Sequence, residues 1–556
     1  MSRCGQSGSR KAVVMSRRSA LARIAASTAF VATFPGRRVW AGTAPVVETA
    51  YGRVRGAVSA GIHVFKGVRY GAPTGGANRF MPPRKPAPWA GIIDALQYGN
   101  SAPQSDPNAK GGGGGLFPPV GGDDRHPESE DCLFLNVWTP GLNDGGKRPV
   151  MVWLHGGGFL SGSGSDRIIA GENLARRGNV VVVTLNHRLN AFGFSHFGDI
   201  GGPEYALSGN AGMLDIVEAL RWVRDNIDRF GGDPSRVMIF GESGGGQKVS
   251  MLMGCPLAKG LFHRAAIESG PGIRMLERSK ATRVSEVYLK ELGLAPGHLP
   301  EIQKMPTERL LAAFFPAMAK TGGITPGFID NFAPVIDPAV LPQHPFAPTA
   351  APDAAHVPLI MGWNRTEMTL FADPAAFSLD SAAMTKRVTA IHGAAAARII
   401  RTYQEKYPDL SVPDLHFLIW SDYPTMLFEN LIAERRAAAN QAATYLYRFD
   451  WRSPVQGGKY RTPHTMEIPF VFDNTKVMAS MTGGTREAAE LAGRISDAWI
   501  ALATSGDPNS AKAGLAHWQP YSARERATLL IDTESRLAAD PEREERRLLH
   551  QLYPDF

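Results

Sequence analysis

The sequence predicts an α/β protein with a mostly parallel central sheet that carries helices on both faces. Two short apolar runs, in RPVMVWLHGGGF and NVVVVTLNHRL, are rich in β-branched residues and do not alternate with polar ones, as expected for strands buried on both faces of a parallel sheet. The segment between them is long enough for a crossover with a helix. In the C-terminal third, helical segments alternate with apolar strands. These observations indicate one α/β domain, residues 42–556, with large helical insertions.

A small antiparallel β part is predicted at the start of this domain. The stretch PVVETAYGRVRGAVSAGIHVFKGVRYG alternates apolar and polar residues between glycine breaks, which is the pattern of short antiparallel strands. Residues 105–130 include five consecutive glycines at 111–115 and end in a charged stretch, so they cannot build a packed element. We expect them to form a long mobile surface loop rather than a domain linker, because strand patterns continue on both sides.

Apolar periodicity predicts the elements around and after the two buried strands. The crossover helix lies in SGSGSDRIIAGENLARRG, between the strands. Residues 211–230 form a helix whose apolar side chains recur at roughly helical spacing: Leu214, Val217, Leu220, Trp222 and Ile227. The segment GGDPSR ends this helix, and VMIF is a further buried strand. Downstream, TMLFENLIAERRAAANQAATY is predicted as helix and YLYRF as strand, without an internal repeat of 20 to 50 residues.

The net charge of +8 originates at the N-terminus. Residues 1–41 contain eight basic and no acidic residues, so the rest of the chain has 52 basic and 52 acidic residues. Because the body of the protein is formally neutral, the isoelectric point near 9.3 is not evidence for a nucleic-acid partner. We therefore expect no nucleic-acid binding.

The same N-terminal segment has the features of an export signal. The pair Arg17 and Arg18 precedes a mildly apolar stretch that ends in small residues near Ala41, and it resembles the twin-arginine type of signal, which exports folded proteins. Met15 lies just before this signal and is an alternative start to Met1. We expect export to a bacterial periplasm or to the medium, the alternative being a disordered basic tail. No later stretch is apolar enough to predict a transmembrane helix.

Neither disulfides nor a metal or cofactor is implied by the sequence. The only cysteines are Cys4, Cys132 and Cys255, too few for a disulfide framework. No CxxC pair, HExxH motif or EF-hand spacing occurs. The expected chemistry therefore uses only groups of the polypeptide itself.

Two glycine-rich motifs follow predicted strands and indicate acyl transfer. The stretch GESGGG, Gly241–Gly246, fits the G-x-S-x-G pattern that places a serine on a sharp turn between a strand and a helix in α/β-hydrolases. The strand VMIF runs into Gly241, and a helical segment, KVSMLMGC, follows. The stretch HGGGF, residues 155–159, comes directly after VMVWL, and its glycines allow backbone N–H groups to face a carbonyl oxygen. A tight turn is the alternative for that motif alone.

A serine nucleophile also requires a base and a carboxylate that orients the base. The α/β-hydrolase order along the chain is serine, then acid, then histidine. This order restricts the base to eight residues: His298, His344, His356, His392, His416, His464, His517 and His550.

Several long segments occur in the order of a known family. They are FKGVRYGAPTGGANRFMPP, SEDCLFLNVWTP, HGGGF, TLNHRLNAFGF, GNAGMLDIVEALRWVRDNIDRFGGDP, VMIFGESGGG, LFHRAAIESG and SGDPN. By these segments the chain resembles the type B carboxylesterases, which include cholinesterases and bacterial para-nitrobenzyl esterases. The resemblance spans almost the whole mature chain and implies the α/β-hydrolase fold.

The resemblance also implies roles for individual residues. Ser243 corresponds to the nucleophile, and the N–H groups of Gly157, Gly158 and Gly244 correspond to the oxyanion donors. The family's usual alanine after the nucleophile is replaced here by Gly244, whose conformational freedom should loosen the turn. We therefore expect Gly244→Ala to keep activity and to raise stability slightly, unless the turn needs a φ angle that only glycine tolerates.

The acid and the base are likewise placed by similarity. MGWNRTEMTLF is similar to the family's G-x-N-x-x-E segment and implies Glu367 as the acid, and PHTMEIPFVF implies His464 as the base. Without these flanking matches, a solvated glutamate and a structural histidine would be the default interpretations. Glu242 and Glu467 could tune the imidazolium by their charge, and surface or hydrogen-bonding roles are about equally expected.

The function predicted is hydrolysis of small-molecule carboxylic esters through an acyl-enzyme intermediate. An amidase or carbamate hydrolase with the same mechanism is an alternative within the chemistry. A non-catalytic interaction protein of the neuroligin kind is the alternative outside it, although such proteins typically lack the nucleophile that is present here. The sequence determines neither the natural substrate nor the oligomeric state.

Overall fold

A large mixed sheet organises the chain, as the computed structural model shows. The structure describes residues 44–108, 126–323 and 330–556. The predicted signal at 1–41 and most of the predicted glycine-rich loop, residues 109–125, lie outside the described residues. Residues Ala44–Phe556 form one compact unit.

The strands of the described residues are numbered in chain order. They are β1 Val46–Thr49, β2 Gly52–Arg55, β3 Ala57–Ser59, β4 Ile62–Arg69, β5 Ile92–Asp94, β6 Phe134–Thr139, β7 Arg148–Leu154, β8 Val181–Leu185, β9 Gly232–Glu242, β10 Arg264–Glu268, β11 Leu359–Asn364, β12 Thr444–Phe449, β13 Ala527–Ile531 and β14 Arg536–Ala539.

The helices are numbered in the same way. They are α1 Glu172–Gly178, α2 Asn190–Phe194, α3 Ala211–Asn226, α4 Gly244–Met253, α5 Arg278–Glu291, α6 Leu299–Ile302, α7 Thr307–Lys320, α8 Ser381–His392, α9 Ala396–Lys406, α10 Val412–Ser421, α11 Leu427–Ala438, α12 Ile468–Val471, α13 Ala479–Thr482, α14 Arg486–Ser505 and α15 Arg543–Leu552.

The large sheet has the strand order β14-β13-β12-β11-β10-β9-β7-β8-β6-β4-β3, and a small sheet has the order β1-β2-β5. All neighbours from β8 through β7, β9, β10, β11 and β12 to β13 are parallel. The pairs at the ends of the large sheet are antiparallel, and so are β1 with β2 and β3 with β4. The predicted α/β class, with a mostly parallel sheet and a small antiparallel N-terminal part, is confirmed.

Both faces of the parallel strands are covered by a hydrophobic core, and successive side chains of a strand point into opposite cores. Val152 and Ile239 belong to the core that includes the apolar side chains of α3. Trp153 and Phe240, the next residues on the same strands, belong to the core that includes α14. This two-sided burial explains why these strands are apolar without alternation.

One predicted boundary needs correction. GGDPSR was expected to separate helix from strand, but β9 already begins at Gly232. The helical region ends at Gly231, whose φ of 74° lies in the left-handed region that glycine adopts without strain. Gly232 then pairs with Arg148 of β7, so tertiary pairing extends the strand across residues that are poor strand formers.

Candidate active site

The residues singled out by the sequence motifs lie at the carboxyl edge of the parallel strands. Leu154 ends β7 and pairs with Gly241, next to the end of β9. Glu268 ends β10 and pairs with Glu242. Asn364 ends β11, three residues before Glu367. Because carboxyl ends of parallel strands meet at one edge of a sheet, segments distant in the sequence converge here, as ligand sites of α/β sheets do.

Ser243 occupies a strained turn between β9 and α4. Its φ of 58° and ψ of −123° lie in a region that non-glycine residues rarely adopt. The flanking glycines permit this close turn, because a Cβ at Gly241 would lie 2.5 Å from the carbonyl oxygen of Leu154, and a Cβ at Gly245 would clash with the same oxygen. The backbone N–H of Ser243 donates to the Glu268 carbonyl oxygen at 2.8 Å. Helix α4 starts at Gly244, four residues before the helical segment that the sequence indicated.

The segment His155–Phe159, called the oxyanion loop below, faces this turn. Gly157 and Gly158 have φ angles of 86° and 63°, which favour glycine. A Cβ on Gly156 would lie 3.5 Å from the Cβ of Ser243, so the loop passes directly beside the serine. Within the described part of the chain, the N–H groups of Gly157, Gly158 and Gly244 donate no hydrogen bond to protein atoms. These donors are therefore free to bind a substrate oxygen.

The structure contradicts our expectation for Gly244→Ala. The φ of Gly244 is not in the left-handed region, so backbone strain is not the obstacle. A Cβ at this position would instead lie closer than 3.0 Å to the oxygen, Cα and nitrogen of Gly158. The side chain is absent here because the oxyanion loop packs against the first turn of α4.

His464 and Glu367 are joined by a short hydrogen bond. The Nδ1 atom of His464 lies 2.6 Å from Oε2 of Glu367. Since an ionised carboxylate only accepts hydrogen bonds, we assign the proton to Nδ1, which leaves Nε2 available for chemistry. Glu367 is completely buried, and its Oε1 accepts from the Asn364 N–H at 2.7 Å. The acid and base positions named by the resemblance are thus brought together.

Glu242 lies beside the same imidazole. Its Oε1 is 3.2 Å from Nε2 of His464. Oε1 of Glu242 nevertheless has no hydrogen-bond partner, so this contact does not have the geometry of a hydrogen bond. The structure also does not join Ser243 to His464 by a hydrogen bond within the described residues. Such bonds are often long or poorly aligned in unliganded enzymes.

The carboxylates around His464 make its imidazole more basic. Burial lowers the pKa of His464, but the negative charges of Glu242, Glu367 and Glu467 outweigh burial and raise this pKa to about 9. Burial also raises the pKa of Glu242 well above its usual range, against the opposing effect of His464. The carboxylates therefore stabilise the imidazolium that forms when Nε2 of His464 accepts a proton.

Glu467 supports the site through residues that the sequence analysis did not name. Its Oε1 accepts from Ser269 Oγ at 2.8 Å, and its Oε2 accepts from the amide of Asn364. Asn364 also contacts Glu367 through its backbone. Burial and the charge of Glu367 raise the pKa of Glu467 to about 7. Glu467 is therefore a buried hydrogen-bonded group, not a surface glutamate.

Three further buried polar residues near the site were missed: Glu268, Glu429 and Lys248. Glu268 accepts from the Trp499 indole at 2.7 Å, and both oxygens of Glu429 lack a side-chain or backbone hydrogen bond of good geometry. The available signal was a charged residue within an otherwise apolar segment, as in IESG and GGQKVSMLM. Such a residue is usually solvated, and only the fold shows that these are not.

No group of three or more His, Cys, Asp or Glu residues within the described ranges could hold a metal ion. The independence from metals and cofactors stays a prediction. Cys132 and Cys255 are buried free thiols. Across the described residues, no helix has the length and apolarity needed to cross a membrane.

Comparisons with known proteins agree over nearly the whole chain. Residues 43–549 match the model of the Carboxylesterase family. The chain is 35% identical to the para-nitrobenzyl esterase of Bacillus subtilis, over 91% of this chain and 99% of that protein. It is 32% identical to the phenmedipham hydrolase of Pseudarthrobacter oxydans, over 88% and 96%. The crystal structure of a Geobacillus stearothermophilus carboxylesterase, 35% identical, matches with a TM-score of 0.77 over 90% of this chain and 99% of that one.

Proposed function

This chain belongs to the carboxylesterase family and is a carboxylic ester hydrolase, and we propose that it works through an acyl-enzyme formed on Ser243. His464 is the proposed general base and Glu367 the acid that orients it. The observation that carries the proposal is the 2.6 Å hydrogen bond between His464 and Glu367 at the edge of the sheet where the strained Ser243 lies. This combination supplies the parts that a weak hydroxyl nucleophile requires.

The proposed reaction has two halves. The Oγ of Ser243 attacks the ester carbonyl carbon while Nε2 of His464 accepts its proton. The negative oxygen that forms is stabilised by the N–H groups of Gly157, Gly158 and Gly244. The imidazolium then gives its proton to the departing alcohol, which leaves an acyl group on the serine. In the second half, His464 deprotonates a water molecule, which attacks the acyl carbon. The bond between this carbon and Oγ of Ser243 then breaks as the imidazolium returns the proton to the serine, and the acid is released.

Buried carboxyl groups support the base in this proposal. Glu367 holds the Nδ1–H tautomer of His464 and stabilises the imidazolium electrostatically. Glu242 places a buried carboxyl group 3.2 Å from Nε2, and its ionised form stabilises the imidazolium without a well-aligned hydrogen bond. Glu467 acts at longer range, because its hydrogen bonds go to Ser269 and Asn364.

Ser243→Ala tests the assignment of the nucleophile. We expect this variant to lose about 10⁴-fold or more in kcat on a p-nitrophenyl ester, and labelling by a fluorophosphonate to disappear, because the proposed acyl-enzyme forms on the Ser243 hydroxyl. Ser285→Ala is the matched control: Ser285 is buried in α5, its Oγ has no hydrogen-bond partner, and its loss should leave turnover intact. Near-normal turnover by a folded Ser243→Ala protein would show that the assignment is wrong.

The substrate class is tested with a panel of model compounds. Aryl, alkyl and polycarboxylic esters are compared with an amide and a carbamate that share the same acyl or alcohol part. We propose that esters are hydrolysed with the highest kcat/KM, since nitrogen donates more electron density to a carbonyl than an ester oxygen does and so makes amide and carbamate carbons less electrophilic. A carbamate or amide preferred over its matched ester would instead support the amidase or carbamate alternative.

We also propose that the protein is exported through the twin-arginine pathway. The support is the sequence of residues 1–41, with Arg17 and Arg18 followed by a mildly apolar segment. Fractionation of cells should recover a shortened protein outside the cytoplasm, and Arg17→Lys with Arg18→Lys should retain the full-length protein inside. Uncleaved wild-type protein found only in the cytoplasm would refute export.

A further inference from the structure

A buried lysine lies directly behind the oxyanion loop. Lys248 is on α4, five residues after Ser243, and its side chain is completely buried. Its Nζ donates a hydrogen bond of 2.7 Å to the carbonyl oxygen of His155, the first residue of the loop. Neither the sequence motif nor the proposed reaction accounts for an amine in this place.

The helix geometry directs Lys248 to the loop. Residues four apart on an α-helix share a face, so Lys248 lies on the same face of α4 as Gly244. Gly244 packs against the backbone of Gly158, as the clash of a Cβ placed there shows. One face of α4 therefore contacts the loop through both residues. Gly244 packs against Gly158, and Lys248 binds the carbonyl oxygen of His155 with its Nζ 5.9 Å from the centre of the Phe159 ring.

Among the residues that the structure describes, this amine has no carboxylate partner. Within the described residues no ion pair joins Lys248 to a carboxylate, and the titratable groups that face it are His155 and His187. The two imidazoles stack at 4.9 Å, and each contacts a backbone carbonyl oxygen through Nδ1. Burial and the nearby Lys248 lower the pKa of both histidines well below the usual value, so they are neutral.

Burying an amine without a counter-charge is costly unless its hydrogen bonds compensate. Burial lowers the pKa of Lys248 to about 7, yet the side chain stays in the interior and directs its Nζ at the loop. An aliphatic residue would fill the same volume at a lower cost. The position of this amine is thus better explained by the loop it contacts than by the stability of the core.

We infer that Lys248 is a positioning residue for the ester hydrolysis proposed above. By holding the carbonyl oxygen of His155, it fixes the backbone of the oxyanion loop so that the N–H groups of Gly157 and Gly158 face the oxygen that becomes negative. In its ammonium form it also places a positive charge behind those donors. Both effects favour the transition state over bound substrate. The inference rests on the proposed role of the loop.

Lys248→Met tests the inference, because methionine keeps the length and apolar stem of lysine but removes the donor and the charge. We expect kcat per active site to fall about 10- to 100-fold with little change in KM, less than the roughly 10²- to 10³-fold loss typical of deleting an oxyanion donor itself. Affinity for a trifluoromethyl ketone, which forms a tetrahedral adduct, should fall by the same factor as kcat/KM. If the methionine variant does not fold, Lys248→Gln is measured in the same way.

The matched control is Met251→Ala, a change in another buried residue of α4. Active sites are counted by fluorophosphonate labelling carried to completion. A purely structural role of Lys248 would lower the labelled fraction and the thermal midpoint, as Met251→Ala should, but would leave kcat per labelled site unchanged. That result, together with unchanged ketone affinity, would overturn the inference. Failure of the wild-type protein to be labelled would instead refute the assignment of Ser243, so the two failures are distinguishable.

Discussion

Gly244→Ala adds one methyl group at the contact between α4 and the oxyanion loop. A Cβ at Gly244 would lie closer than 3.0 Å to the oxygen, Cα and nitrogen of Gly158, whereas ordinary van der Waals contact begins at 3.4 Å. All three atoms belong to the backbone and cannot rotate away as a side chain can. The loop must therefore retreat by about 1 Å, a distance at which the optimum of a hydrogen bond is lost.

Two opposing effects on stability can be compared. Replacing glycine by alanine at a compatible helical position stabilises a protein by about 0.4–1 kcal/mol through the unfolded state. Overpacking a filled site destabilises by about 1–3 kcal/mol. Since the clash is with backbone, we expect overpacking to dominate and the variant to be less stable than the wild type.

The effect on turnover should be larger. Gly158 supplies one of three N–H donors to the proposed oxyanion site, and loss of one donor typically costs about 10²- to 10³-fold in kcat, or about 2.7–4 kcal/mol. We measure kcat per fluorophosphonate-labelled site and the midpoint of urea unfolding. Gly75→Ala is the matched control, because Gly75 has extended backbone and an added Cβ would lie 3.5 Å from Glu130, an ordinary contact.

The reasoning is refuted if Gly244→Ala turns over like the wild type and is more stable. That outcome would show that the loop can move away from the added methyl group without displacing the Gly158 N–H. It would also agree with the sequence-based expectation that activity is kept and stability rises slightly. Equal losses in the Gly75→Ala control would show that the assay does not report on the loop.

Two further changes test the charges of the protein. A protonated imidazole cannot accept the proton of the serine, so kcat/KM should be low at acidic pH and rise as the pH passes the His464 pKa near 9. Glu242→Gln removes one of the carboxyl groups that raise this pKa, the one beside Nε2. We therefore expect the rise in the pH–rate profile to move to lower pH. An unchanged profile would contradict the electrostatic role of Glu242. Asp215→Ala removes the carboxylate that Nε and Nη2 of Arg188 contact at 2.8 and 2.6 Å, and leaves a buried guanidinium unpaired. We expect the free energy of unfolding, measured in urea, to fall by about 3–5 kcal/mol. A fall below about 1 kcal/mol would show that Arg188 finds another partner.

The strands that the sequence predicted best are those whose residue pattern alone indicates burial on both faces of the sheet. The runs VMVWL, VVVV and VMIF are apolar on both faces, and each became a strand of the parallel region. GESGGG predicted the turn at Ser243 correctly, because this strained turn requires glycine at positions 241 and 245, where the backbone of β7 comes close. Element boundaries were less predictable, since the start of β9 depends on pairing with β7.

Buried polar residues were the least predictable part of the site. Lys248, Glu268 and Glu429 look like solvated residues in the sequence, because charged side chains are usually exposed. Their burial follows from the packing of α4, β10 and α11 around the carboxyl edge of the sheet. The residues that bury these side chains lie far from them in the sequence, so the local sequence does not show that they are buried.

By itself, the sequence determined the α/β class and the strand-turn-helix context of Ser243, because these depend on local periodicity and a contiguous motif. Glu367 and His464 became candidates only through the resemblance of their segments to those of the family. The tertiary structure decided which atoms meet. It placed Nδ1 of His464 on Glu367, brought Glu242 to the other ring nitrogen, and packed Gly158 so tightly against α4 that the expected effect of an alanine at Gly244 reversed. These are contacts between segments far apart in the chain, so their distances depend on the packed fold and not on any one segment.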